Sequence, residues 1–182
     1  VTGIELAHVA AARALACAGL DAKDVELVVY GSCSNDEAVP NSASGVQFKL
    51  GATHAASMDV NTACTSFLYG LTTASSMIKA GVVKNALVIG GELISPMMDW
   101  TNRNVSVLFG DGCAAVVLQA TAREEGVMAD RLGCYGDVRG ILQVHAEHLR
   151  RVGVEPLPLR VHAGALARLD AARVVPVGEA VL

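Results

Sequence analysis

Cys64 stands in the run Asp59-Val-Asn-Thr-Ala-Cys-Thr-Ser-Phe-Leu-Tyr-Gly70, where a β-type pattern gives way through small polar residues to a helical one. A thiol in the first turn of a helix faces unpaired backbone N–H groups and the positive end of the helix dipole, and both favour thiolate over thiol. The same N–H groups can hold the oxyanion that develops in acyl transfer. Thr62, Ala63, Thr65 and Ser66 are small enough for a substrate carbonyl to approach. Cys64 is therefore the candidate nucleophile. The alternative is a buried structural cysteine, since unpaired cysteines are among the most buried residues. Cys33, in Tyr-Gly-Ser-Cys-Ser-Asn-Asp, also follows a strand pattern and is a second thiol for the same pocket.

The other reactive side chains form no constellation. The remaining cysteines are Cys17, Cys113 and Cys134; the total is odd and no two form a CxxC pair, which argues against a disulfide framework or a structural zinc site. A reducing cytoplasm is the compartment this usage fits. The histidines are His8, His54, His145, His148 and His162, and a two-histidine metal site at His145 and His148 is a poor reading, so no metal is expected. Net charge is −4 with the charges scattered, and no basic block or basic-aromatic ladder suggests nucleic acid. No apolar run reaches the ~18 residues of a membrane helix, and no signal-peptide layout opens the chain. Val1 begins inside a helix signal, so the natural start is expected upstream.

The elements that must position Cys64 follow from periodicity. Thr2 lies three residues before Glu5, a capping-box spacing, and apolar positions at Ile4, Ala7/His8, Ala11, Leu15 and Ala18 predict a helix over about 3–18 that stops at Gly19. Val-Glu-Leu-Val-Val-Tyr-Gly-Ser reads as a buried strand, the stretch from Pro40 to Gly51 as a short helix, and Ala-Ser-Met-Asp-Val-Asn as a second strand. From Cys64 the period changes: Cys64, Phe67, Leu68, Leu71, Ser75 and Ile78 share a helical face, with an end at Gly81. Asn-Ala-Leu-Val-Ile-Gly-Gly-Glu is a third strand. Residues 104–120 read as a strand, a tight turn at Gly110-Asp111-Gly112 with the aspartate bonded into its own turn, and another strand, hence a hairpin. Gly90-Gly91 is too little for a phosphate loop. Alternation of helices and strands predicts an α/β fold with a mostly parallel sheet covered by helices, and chemistry in such folds sits at the carboxyl ends of the strands.

These motifs together resemble the 3-oxoacyl-acyl-carrier-protein synthase III family of the thiolase-like fold. The Asp-x-x-x-Ala-Cys-Thr-Ser-Phe segment, Asp-Trp-Thr-Asn-Arg, and the Phe-Gly-Asp-Gly-x-x-Ala-x-Val-Leu segment occur in the family's order and spacing, over about Thr2 to Tyr135. The resemblance implies a first, N-terminal βαβαβαββ-type half of that fold, truncated. It implies that Cys64 takes an acyl group from acyl-CoA and that a malonyl-acyl carrier protein then condenses with it, with loss of CO2. No cofactor is implied beyond the coenzyme A thioester as substrate. Arg103 matches a residue that contacts the adenine end of coenzyme A, and Trp100 lies near the same entrance or serves packing. Val39 matches a position where relatives often carry phenylalanine beside the partner subunit's acyl pocket, so a pocket for chains longer than acetyl is expected. Cys33 stands where relatives usually have Ser or Thr, which implies a lining role. A homodimer is expected.

Residues 145–182 use only nine residue types, all with GC-rich codons, and lack Ser, Thr, Asn, Gln, Lys and every aromatic. We read 1–135 as the half-domain and 136–182 as a divergent tail, with two readings of its bias: translation out of frame, which the GC-rich codons favour, and a genuine Ala/Arg-rich helical extension. The histidine of His-Gln-x-Asn and the asparagine of Gly-Asn-Thr, which relatives use to activate the malonyl unit, have no counterpart in the sequence. The isolated chain is thus expected to acylate itself at most. The alternative from a different class is an incomplete remnant that acts only as a dimerising or binding half-fold.

Overall fold

The structure, a computed structural model, describes residues 1–123, 125–143 and 160–161. The chain divides into two compact units, Val1–Ser95 with Gly110–Leu132, and Pro96–Phe109 with Gly133–Leu182. The first unit holds a four-stranded sheet in the order β2-β1-β3-β4, with β1 at Leu27–Gly31, β2 at Ala56–Val60, β3 at Asn85–Glu92 and β4 at Gly112–Gln119. β1 pairs parallel with both β2 and β3, and β4 runs antiparallel to β3.

Three helices cover the sheet. α1, Gly3–Ala18, opens with the expected capping box of Thr2 and Glu5 and closes at Gly19 with φ 64°. α2 spans Ser42–Leu50 and α3 Ser66–Lys79. Odd and even positions of the strands separate two apolar layers, as the two-residue period of a strand requires. Val28, Tyr30, Leu87 and Ile89 pack with Ala7, Ala11, Leu15, Ala43 and Val46 of α1 and α2. Leu27, Val29, Ala86 and Val88 pack with Ala74 and the half-buried Phe67, Met77 and Ile78 of α3. All five residues of β1 are buried, which explains its unbroken apolar run.

α2 is capped from a distance. Its N-cap residue, Asn41, makes no side-chain capping bond. Instead Asp59 of β2 accepts the N–H groups of Ser42 and Ala43 at 2.8 Å each, and the Asn35 amide at 2.6 Å. A carboxylate at a helix N-terminus satisfies free donors and opposes the dipole. Asp59→Ala is expected to cost about 1–3 kcal/mol, read as a lowered midpoint in urea at unchanged m-value. An unchanged midpoint would show that Asn41 takes over the cap.

Two expectations from the sequence are corrected. Residues 104–120 form no hairpin: Arg103–Ser106 is a short helix, α4, and only 112–119 is strand. β4 still returns beside β3, with Glu92 opposite Gly112, but through a long connection. Asp111 does not bond its own turn; its carboxylate accepts the N–H groups of Ile94 and Ser95 at 2.8 Å each, tying the two ends of the connection. The hydrogen bonds from Ser95 hold its carboxyl below the ordinary range. The buried line of α3 is also shifted. Phe67 and Ile78 of the expected face do pack in the α3 layer, but the fully buried line runs through Ser66, Gly70 and Ala74, small residues that let the helix approach the sheet, and Leu68 is left exposed.

In the second unit, Leu142–Gln143 (β5) pairs antiparallel with Arg160–Val161 (β6). The remainder of the biased segment from residue 145, with His145, His148 and His162, lies outside the described residues.

Candidate active site

Cys64 lies in the turn between β2 and α3, at the carboxyl end of the sheet. It is not inside the helix: Thr65 is the N-cap and Ser66 the first helical residue, so the thiol precedes the helix by two positions. Cys64 is exposed.

The turn is built to present it. Ala63 has φ 53°, the one non-glycine residue with positive φ among those described. That conformation costs an L-residue roughly 1–2 kcal/mol, and surrounding bonds must hold it. Ser66, buried, does much of this: its hydroxyl donates to the Ala63 carbonyl at 2.6 Å and accepts the Thr62 N–H at 2.9 Å. The Thr65 hydroxyl donates to the Thr62 carbonyl at 2.7 Å. The Ala63 N–H goes to the Asn61 side chain, the Thr65 N–H to Thr62 and the Ser66 N–H to Ala63. The amides of Ala63, Thr65 and Ser66 are thus engaged inside the turn itself.

Gly31 sets how deeply this turn sits. A Cβ at Gly31 would lie 2.7 Å from the Ser66 carbonyl carbon and 2.8 Å from the Phe67 nitrogen. The end of β1 and the start of α3 therefore touch backbone to backbone. Gly90 of β3 similarly leaves room for the Phe67 side chain, whose Cβ would lie 2.9 Å and ring Cδ2 3.0 Å from a Cβ there. The glycine pair on β3 serves close packing, not a phosphate.

A polar cluster joins the same corner. Beyond Gly31, Ser32 and Ser34 both donate their hydroxyls to the Glu92 carboxylate, and the Cys33 N–H donates to it at 2.9 Å. The Ser34 hydroxyl in turn accepts the Leu93 N–H at 2.8 Å. Cys33 is an exposed residue, yet partial burial of its thiol pushes it up to about 12, helped by the charge of Glu92, its hydrogen bond to that carboxylate, and the charge of Cys64. Cys33 follows β1 and Cys64 follows β2, and these two strands pair in parallel, so both thiols lie beyond the carboxyl end of the sheet. Glu92 was not singled out from the sequence. Its one visible signal was a carboxylate closing an otherwise apolar strand.

Val39 is 86% exposed in the segment before α2. Arg103 opens α4, whose cap is the Asn102 side chain bonded to the Asn104 N–H, and Trp100 is 62% exposed just before it. Both belong to the second unit. Of the other cysteines, Cys17 and Cys134 are exposed and Cys113 is half-buried against α1's layer; all five are free. Among the described residues no group of three or more His, Cys, Asp or Glu side chains could hold a metal, and no helix is long and apolar enough to cross a membrane.

Residues 58–136 match the sequence profile described as 3-oxoacyl-[acyl-carrier-protein (ACP)] synthase III. The chain is 47% identical over 140 residues to beta-ketoacyl-[acyl-carrier-protein] synthase III 2 of Vibrio cholerae, covering 77% of this chain and 39% of the relative. It is 41% identical over 132 residues to the synthase III of Geobacillus kaustophilus, covering 72% and 43%. Among solved structures it is similar to 3-oxoacyl-[acyl-carrier-protein] synthase III from Aquifex aeolicus VF5, with TM-score 0.83, 31% identity, and coverage of 93% of this chain and 52% of that one. The priming beta-ketosynthase of the R1128 polyketide pathway matches with TM-score 0.79 at 26% identity, covering 96% and 53%. The chain spans about two fifths of the length of the curated relatives it matches. Over the stretch these matches cover, the chain is similar to the 3-oxoacyl-[acyl-carrier-protein] synthase III family.

Proposed function

We propose that this chain carries the acyl-accepting half of a synthase III, with Cys64 as the nucleophile. The observation that carries the reading is an exposed thiol on a strained, heavily bonded turn at the carboxyl end of the sheet, in a segment that matches the family. The Cys64 sulfur attacks the thioester carbonyl of acyl-CoA. The carbon–sulfur bond to coenzyme A breaks, its thiol leaves with the proton, and a Cys64 thioester remains. With the Thr62, Ala63, Thr65 and Ser66 amides engaged, the Cys64 N–H is the turn's donor for the oxyanion. Coenzyme A enters as substrate, not as a resident cofactor.

In the whole protein, a malonyl-acyl carrier protein would lose CO2 and its carbanion would attack this thioester. That step needs the histidine and asparagine that the resemblance implies and that these residues do not include. Arg103, with Trp100 beside it in sequence, is assigned to the coenzyme A entrance. A homodimer in the cytoplasm fits the family resemblance and the five free cysteines.

Incubating the purified chain with acetyl- or octanoyl-CoA and recording intact mass tests the first step. One acyl adduct is expected. A folded chain that takes none overturns the reading and leaves a binding remnant.

Val39 is assigned to the acyl pocket across the dimer. In the intact enzyme, Val39→Phe is expected to lower octanoyl relative to acetyl transfer by about tenfold, since added bulk in an apolar pocket is worth ~1–3 kcal/mol. A ratio that does not move would place Val39 outside the pocket.

A further inference from the structure

The corner that presents Cys64 also holds a second thiol, which raises the problem of why an acyl group would choose between them. Strand parity puts both on one side of the sheet. Leu27 and Val29 pack with the α3 layer, and Gly31 touches the first turn of α3. Cys33 lies two residues beyond Gly31, and Cys64 two residues before Ser66. On β3, Ala86 and Val88 pack in the same layer and Gly90 meets Phe67, so Glu92 closes that strand on the same side.

Glu92 receives three donors from one short segment: the hydroxyls of Ser32 and Ser34 and the Cys33 N–H. A carboxylate so engaged fixes the segment and places a negative charge beside one thiol. We propose that Glu92 is a positioning residue that directs acylation to Cys64, by clamping the Ser32–Ser34 segment and keeping the adjacent Cys33 from serving as a competing acceptor. The thiolate, not the thiol, attacks a thioester, so a thiol held protonated by a neighbouring carboxylate stays out of the reaction. Burial raises the titration of Cys33 most, and the Glu92 charge raises it further, in agreement with this geometry. The pair then resembles two like groups given different roles by their surroundings. The proposal rests on the assignment of Cys64 as acyl acceptor.

The test is thiol mapping on the full chain. Trypsin cuts after Lys23, Lys49 and Lys79, so Cys33 and Cys64 fall in separate peptides, and the exposed Cys17 falls in a third as reference. With iodoacetamide, Cys33 is expected to label at least about tenfold more slowly than Cys17 in the native chain. Glu92→Gln, equal in size and uncharged, is expected to raise Cys33 labelling by about tenfold and to let part of the acyl group from acyl-CoA appear on Cys33. Glu92→Asp, which keeps the charge, is expected to restore selectivity in part. A native chain in which Cys33 labels as fast as Cys17 overturns the proposal. So does a folded Glu92→Gln chain whose Cys33 labelling stays within about twofold of native. If Glu92→Gln does not fold, Ser34→Ala carries the test: a rise in Cys33 labelling supports the clamp, and no rise overturns it. A native chain that takes no acyl group on either thiol sinks the acyl-acceptor reading instead, and the iodoacetamide ratios still report on Glu92 separately.

Discussion

Cys64→Ala is expected to remove the acyl adduct completely while leaving the fold intact. The residue is exposed and no core contact depends on it, so the change in stability should stay within about 0.5 kcal/mol. The loss of acyl transfer should reach at least about a thousandfold, because alanine has no nucleophile and the reaction passes through a covalent thioester. Cys64→Ser separates geometry from chemistry. Its hydroxyl occupies the same turn but is far less ionised, so acylation should fall almost as far. Intact mass after incubation with acyl-CoA reads the first quantity and thermal melting the second. An adduct persisting on Cys64→Ala at the native rate would move the acceptor elsewhere, with Cys33 the first place to look.

Gly31→Ala is expected to damage both stability and acylation, although Gly31 is not a reacting group. The added methyl would lie 2.7–2.8 Å from the Ser66 and Phe67 backbone. A side chain could rotate away, but a helix backbone cannot, so α3 or β1 must move. Overpacking of this kind costs about 1–3 kcal/mol. In a unit of this size that corresponds to a Tm fall on the order of 10 °C. The displaced part is the first turn of α3, which carries the bonds holding Ala63 and presenting Cys64. A shift near 1 Å at a reacting group costs on the order of a hundredfold in rate. Gly19→Ala is the control: its methyl would meet nothing within 4 Å, and its cost comes only from the positive φ at the end of α1. Gly19→Ala should lower Tm modestly and leave acylation alone. If Gly31→Ala does no more than Gly19→Ala, the close contact of β1 and α3 does not set the site.

The elements of the first unit were legible because each has a local cause. The Thr2–Glu5 box, Gly19 and Gly51 bound their helices as expected. The apolar runs of β1 and β3 are buried strands because their neighbours cover both faces. The hairpin expected over 104–120 was not, because a Gly-Asp-Gly turn signal is only a local permission. The Asp111 carboxylate finds better partners in Ile94 and Ser95, remote in sequence, and the segment before it winds into α4. The expected face of α3 held at Phe67 and Ile78 but not at Leu68, for a related reason. Hydrophobicity marks Leu68, but the sheet is approached through Ser66, Gly70 and Ala74, whose merit is smallness.

The candidate site divides in the same way. The sequence by itself marked the candidate nucleophile's type and place: a cysteine among small residues between a strand and a helix, in a pattern that resembles the synthase III family. It also showed that the histidine and asparagine of the second step are not within these residues. Only the tertiary structure decided that Cys64 stands ahead of the helix, that Ala63 bears the backbone strain, and that Gly31 must lack a side chain. It alone brought Glu92 to Cys33 across 59 residues of chain. Periodicity reports which face a residue takes, since that depends on its neighbours in sequence. Which carboxylate meets which thiol depends on strand order and register, which arise when the whole sheet assembles.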